Sequence, residues 1–150
     1  MRKNKVVCDL DGTLCDVRYR RHFVSGKKKD FESFHRLLVL DEPIQATKAT
    51  LNALALQDFE IILVSARPNS YRTQTEEWLN KNLIIWDELH LLRPDNDSTP
   101  DVVLKREWLK TQNKESILFC LDDRQRIVDM WREEGLTCFQ VDAWEKSDVK

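Results

Sequence analysis

The chain holds 150 residues, 41% of them hydrophobic and 33% charged, with a formal net charge of -2 at pH 7. That length suits one domain, spanning 1–150, with a real buried core. The balanced charge excludes a global field that would by itself recruit nucleic acid or a membrane surface.

No apolar run approaches the ~20 residues of a membrane span. Only Val6 to Cys8 are apolar before Asp9, too few for the core of a signal peptide. The four cysteines, Cys8, Cys15, Cys120 and Cys138, form no CxxC pair, which speaks against zinc or thioredoxin-like chemistry. Cys8 and Cys120 lie in apolar runs and read as small core residues in a reducing, cytoplasmic setting.

In chain order, "KVVCDL" reads as a short buried strand ending on Asp9 and Asp11, which flank one leucine. "RYRRHFVSGKKK", Arg18 to Lys29, carries six Lys/Arg and no acid. "DFESFHRLLVL" looks helical. "PIQATKATLNALALQ" predicts a helix with Pro43 near its start and Ile44, Leu51, Leu54 and Ala55 on one face. "FEIILVSAR" is the clearest strand, its continuous Ile61–Val64 run suiting burial on both faces. "SYRTQTEEWLNKN" predicts a helix that Ser70 can cap, and "ELHLLR" a short strand. Before "DVVLKREWLKTQ", Thr99 can N-cap, Pro100 fits the first helical position and Asp101 complements the helix dipole. "SILFCLDD" is a buried strand ending in two acids. "RQRIVDMWREEG" is a helix with Ile127, Val128 and Trp131 inward, closed by Gly135, and "TCFQVD" is the last strand.

The alternation of strands and helices argues for an α/β fold, a parallel sheet with helices on both faces. Active sites of such sheets lie past the carboxyl ends of the strands, at a switch in strand order. Both acidic clusters fall there. If the strands are neighbours, Asp9, Asp11, Asp122 and Asp123 converge and repel, and a hard cation such as Mg²⁺ with a phosphorylated ligand resolves the repulsion. Each piece alone has a plainer reading. Asp-Gly after a strand is a common turn, Asp-Asp before a helix is a common cap, and Asp101 with Lys105 can be only an i, i+4 surface pair.

The ordered set "DLDGT", Ser65, Lys105 and "DD" resembles the four motifs of the haloacid dehalogenase (HAD) superfamily, and the resemblance spans nearly the whole chain. It implies a Rossmann-like three-layer sandwich with a small cap insertion at about residues 15–42. It also implies a phosphatase in which Asp9 is the nucleophile that forms an aspartyl-phosphate and Asp11 the general acid and base. The superfamily's dehalogenases lack an acid at the latter position. Ser65 would hold a phosphoryl oxygen, and Lys105 would neutralise charge on nucleophile and phosphoryl group. Asp101 would hold Lys105 in place. Gly12 would permit a sharp turn whose amides, with Thr13, bind phosphate. Mg²⁺ would sit between Asp9, the Asp11 carbonyl, Asp122 and Asp123.

"DVVLKREWL" and "LDDRQRIVDMWREEGLTCFQV" more narrowly resemble the 3′-phosphatase domains of phage polynucleotide kinases, which act on DNA or RNA ends. Arg67 in "VSAR" carries over from that family's arginine after the second strand. Its upstream arginine falls nearest Arg20, with Arg18 and Arg21 as alternatives. With only Gly12, Gly26 and Gly135, the chain has no GxxxxGK[ST] loop. It is therefore read as a free-standing phosphatase or a fragment, with a separate kinase or ligase as a possible partner. Arg18, Arg21, Lys27, Lys28 and Lys29 can neutralise backbone phosphates, or form a solvated loop. Tyr19, His22 and Phe23 can stack on a base, or pack within the cap. The tryptophans, His35 and His90 are read as structural. Two other functions are weighed: a phosphatase of free nucleotides or other small esters, and a non-catalytic module binding phosphate or nucleic-acid ends.

Overall fold

The computed structural model describes residues 2–143. The ends of the expected 1–150 unit lie outside the described residues. Five parallel strands form one sheet: β1 (Lys5–Cys8), β4 (Glu60–Pro68), β5 (Glu88–Arg93), β6 (Ile117–Asp122) and β7 (Cys138–Gln140), in the order β5-β4-β1-β6-β7. β1 is central, with Val6 opposite Ile61 on one side and Phe119 on the other. The chain moves outward from β1 through β4 to β5, then returns to place β6 against the other edge of β1. That reversal makes a switch point between β1 and β6.

Helices cover both faces. Successive strand residues point to opposite faces, so Val6, Cys8, Ile61 and Leu63 pack with Leu51, Trp78 and Leu79. Those partners come from α2 (Gln45–Ala55) and α3 (Arg72–Lys81). On the opposite face Val7, Ile62 and Cys120 meet Trp108, Val128 and Trp131, from α4 (Asp101–Lys110) and α5 (Gln125–Glu133). All four cysteines are free and buried. Among the described residues, no helix is long and apolar enough to cross a membrane.

The segment between β1 and α2 is drawn together by a two-residue antiparallel pair, β2 (Cys15–Asp16) with β3 (Glu42–Pro43). Between them lie a 3-10 turn at Arg18–Phe23, the short helix α1 (Phe31–Arg36) and a second 3-10 turn at Leu37–Leu40. The expected single helix over "DFESFHRLLVL" therefore divides. Asp30 caps α1 by accepting from the Ser33 amide. Pro43 belongs to β3 and α2 begins at Gln45.

Two expected caps are not formed. The Thr99 hydroxyl bonds Asp97 at 3.0 Å instead of the helix, and Pro100 itself holds the N-cap position of α4. Ser70 lies in a 3-10 turn ahead of α3, whose N-cap is Tyr71. The preceding turn takes the Thr99 hydroxyl, and Ser70 stands one residue ahead of the N-cap position.

Candidate active site

The ends of β1 and β6 bring Asp9, Asp122 and Asp123 together, with carboxylate oxygens within 4.8 Å of one another. All three are buried. Lys105 arrives from the second turn of α4. Its Nζ donates to Asp9 Oδ1 at 3.0 Å and Asp122 Oδ2 at 2.8 Å. One cation thus faces three carboxylates. Burial, Asp122 and the neighbouring charges push Asp9 up to about 7 despite Lys105. Burial and the Asp9 and Asp122 charges likewise hold Asp123 well above the usual carboxylate range. Burial alone would lower Lys105, but Asp122 and Asp9 outweigh it and raise its pKa.

Asp123 Oδ2 is buried with no hydrogen-bond partner, a costly arrangement for a carboxylate oxygen. Hard oxygen donors, excess negative charge and an orphaned acceptor together fit Mg²⁺. The Asp11 carboxylate lies outside this trio.

Asp11 belongs to a second charged cluster. Arg67, from the end of β4, reaches its Oδ1 through Nη2 at 2.6 Å. Arg20, from the turn after β2, reaches the same oxygen through Nη2 at 2.7 Å. Burial would raise the Asp11 pKa, but Arg67 and Arg20 overcome it and hold the group well below the ordinary range. Arg20 is fully buried and is itself held by Asp41, Nε to Oδ1 at 2.8 Å and Nη2 to Oδ2 at 2.8 Å. Its guanidinium also lies 4.2 Å from the Phe34 ring centroid. Arg20 thus gives its guanidinium N–H groups to Asp11, Asp41 and the Phe34 carbonyl.

Other expected site residues fall as follows. Ser65 is buried at the cavity wall, its Oγ accepting from the Arg67 amide at 3.1 Å. Gly12 takes the left-handed conformation the turn demands, at φ 85°, but its N–H is already given to the Cys15 carbonyl. The buried Thr13 hydroxyl lies 3.1 Å from Asp9 Oδ2 and 3.2 Å from Asp123 Oδ1, so it bridges the two carboxylates. Asp101 does not hold Lys105. Its carboxylate pairs with Arg124 and, at 3.3 Å, Arg126, while Lys105 turns inward to the buried carboxylates of Asp9 and Asp122. Arg18 pairs with Asp16 at 2.6 Å, and Arg18 and Arg21 border a separate shallow groove. Lys29 lines the main cavity, whereas Lys27 and Lys28 stand exposed outside it. Tyr19 is tied to the Leu37 carbonyl and Phe23 packs on the core, so both are engaged within the segment between β1 and α2 and the core beneath it.

Two contributors carry no local sequence signal. Asp41 closes the Arg20 network, and the Trp131 indole N–H donates to Asp122 Oδ2 at 3.1 Å. A helix-facing tryptophan and an acid before Pro43 look structural until the fold brings their partners near.

Asp9, Asp11 and Asp122 line a cavity of about 1130 Å³, larger than the ~300–1,000 Å³ of most small-molecule pockets. Residues 3–145 match the family model for the polynucleotide kinase PNKP phosphatase domain. A chain in the structure of the Pnkp1/Rnl/Hen1 RNA repair complex is 35% identical, with a TM-score of 0.81 over 95% of this chain and 43% of that one. A protein of Autographa californica nuclear polyhedrosis virus, named as a bifunctional polynucleotide kinase/RNA ligase, is 26% identical over 91% of this chain and 19% of its own. The chain thus spans less than half the length of either relative. L-2-haloacid dehalogenase from Xanthobacter autotrophicus, at 11% identity and a TM-score of 0.64 over 94% of this chain and 78% of its own, shares the fold. This chain has the HAD fold and belongs to the family of polynucleotide kinase PNKP phosphatase domains.

Proposed function

We propose that the domain is a Mg²⁺-dependent phosphomonoesterase that removes 3′-phosphates from DNA or RNA ends through an aspartyl-phosphate. The observation that carries this reading is Lys105 bridging Asp9 and Asp122 beside the orphaned Asp123 oxygen, at the floor of an open cavity.

Asp9, Asp122 and Asp123 would hold the Mg²⁺, with the Asp11 carbonyl. When bound, the ion offsets phosphoryl and carboxylate charge. An Asp9 oxygen attacks phosphorus in line, and the bond from phosphorus to the leaving 3′-oxygen breaks as the new one forms. Lys105 steadies the Asp9 carboxylate and the charge on the phosphoryl oxygens, and Ser65 orients one of them. Asp11 gives the leaving oxygen its proton. It then takes a proton from the water that cleaves the acyl-phosphate, restoring Asp9 and freeing phosphate. Arg20 and Arg67 keep Asp11 ionised at rest. The substrate's own negative charge offsets their field, and Asp11, still partly exposed, takes up a proton from solvent as the phosphate binds. Residues 15–42 act as a small cap that leaves the mouth open to a polymer.

The relatives' names point to kinase or ligase modules as working partners, and the reduced cysteines suit a cytoplasmic setting. Hydrolysis of a 3′-phosphorylated oligonucleotide, compared with 3′-mononucleotides with and without Mg²⁺, tests the reading. Preference for the oligonucleotide and dependence on Mg²⁺ are expected. A hundredfold preference for mononucleotides overturns the substrate class, and full activity in chelator overturns the metal.

A further inference from the structure

Phe31, at the start of α1, is 53% exposed. It has company. Its ring stacks toward His35, one helical turn later, at 6.4 Å between centroids and 25° between planes. His35 in turn meets Tyr71 at 5.5 Å. Tyr71 comes from the turn after β4, far from α1 in sequence. The three rings form a row joining the cap segment to the body of the domain, and all three line the cavity that holds Asp9, Asp11 and Ser65.

The row is fixed rather than loose. Phe34, between Phe31 and His35 in α1, is buried. It is clamped by Arg20, whose Nη1 donates to its carbonyl at 2.7 Å and whose guanidinium covers its ring. The residue that grips Asp11 therefore also sets the position of α1. His35 Nδ1 is buried and lacks a hydrogen-bond partner. Burial holds the ring neutral, its pKa brought down to about 4 with further opposition from Arg67 and Arg20. A neutral aromatic row on the wall of the cavity that holds Asp9 and Asp11 suits the flat face of a heterocycle.

We propose that Phe31, His35 and Tyr71 form a stacking shelf for the base of the terminal nucleotide, selecting ends that retain a base. This rests on the reading of the domain as a polynucleotide 3′-phosphatase. Stacking on aromatic side chains tolerates any base, since each has a π-face. The shelf thus recognises the presence of a base and not its identity.

The test compares two 3′-phosphorylated oligonucleotides, one with an intact terminal nucleotide and one abasic at that position. Wild-type protein should prefer the intact end by about fivefold to a hundredfold in kcat/KM, mostly through KM. Phe31→Ala and Tyr71→Ala should each shrink that preference, and Phe31→Trp should keep it. Equal losses on both substrates, or an unaltered preference in both alanine variants, would overturn the shelf while leaving the phosphatase reading intact. A wild-type protein inert on both oligonucleotides but active on mononucleotides would overturn the substrate class, and the shelf with it.

Discussion

Arg67 holds Asp11 across 56 positions of sequence with Nη2 2.6 Å from Oδ1 and Nε 3.2 Å from both oxygens. The guanidinium fork suits a carboxylate in a way that the single ammonium of lysine does not. It makes the β4 end a positioning device for the Asp11 carboxylate.

Arg67→Lys should lower kcat by about a hundredfold or more while the fold persists, as measured by steady-state kinetics and circular dichroism. Because the Asp11 pKa is depressed in the folded state, its contribution to stability is present above the ordinary carboxylate pKa. It is lost as pH falls through the folded value. The stability gap between wild type and Arg67→Met should therefore be wide at pH 7 and shrink at pH 3. Urea unfolding at both values would show it, and a gap that widens on acidification would refute the assignment.

Asp41 never faces the crevice, yet it holds Arg20 from behind and its backbone carbonyl accepts from Trp78 Nε1 at 2.8 Å. Asp41→Ala leaves a buried guanidinium with one carboxylate fewer. Breaking such a pair costs roughly 3–5 kcal/mol. Denaturant unfolding should record a loss of that order, together with weaker turnover. A stability within experimental error of wild type would show that Asp11 alone suffices to hold Arg20.

Asp9→Asn should abolish turnover, by at least about three orders of magnitude. It also removes one of three mutually repelling buried carboxylates, while Lys105 keeps Asp122. The thermal midpoint in chelator should consequently stay level or rise. Near-wild-type hydrolysis by this variant would remove Asp9 as nucleophile.

Mg²⁺ binding should release protons. Asp9 and Asp123 are both raised, so below their pKa values a proton must leave before the carboxylate can serve as ligand. Affinity should therefore climb as pH rises through the neutral range. Calorimetry in buffers of different ionisation enthalpy measures the protons displaced, and a zero count would contradict the shared metal site.

Lys29 lines the cavity while Arg18 is paired away from it. Lys29→Glu should weaken oligonucleotide binding and flatten its salt dependence by about one counterion. Arg18→Glu should change neither by more than about twofold. The reverse ranking, read from Kd at several salt concentrations, would move the strand's path to the other groove.

The architecture was legible in the sequence because its signals are local. The apolar run of "EIILVS", Gly12 beside Asp11 and the acids closing "SILFCLDD" state strands, turns and strand ends within a few residues each. Strand alternation then dictated that the two acidic ends could meet. What the sequence could not state was which charge pairs with which. Asp101 and Lys105 are one helical turn apart and seem made for each other, but Lys105 turns to Asp9 and Asp122 and Asp101 to arginines from beyond β6. Buried charges choose partners by distance and desolvation in three dimensions, not by spacing. For the same reason Asp41 behind Arg20, Trp131 on Asp122, and the meeting of Phe31, His35 and Tyr71 belong to the tertiary structure alone. Each joins side chains from separate elements, and only the packing of those elements sets the distance between them.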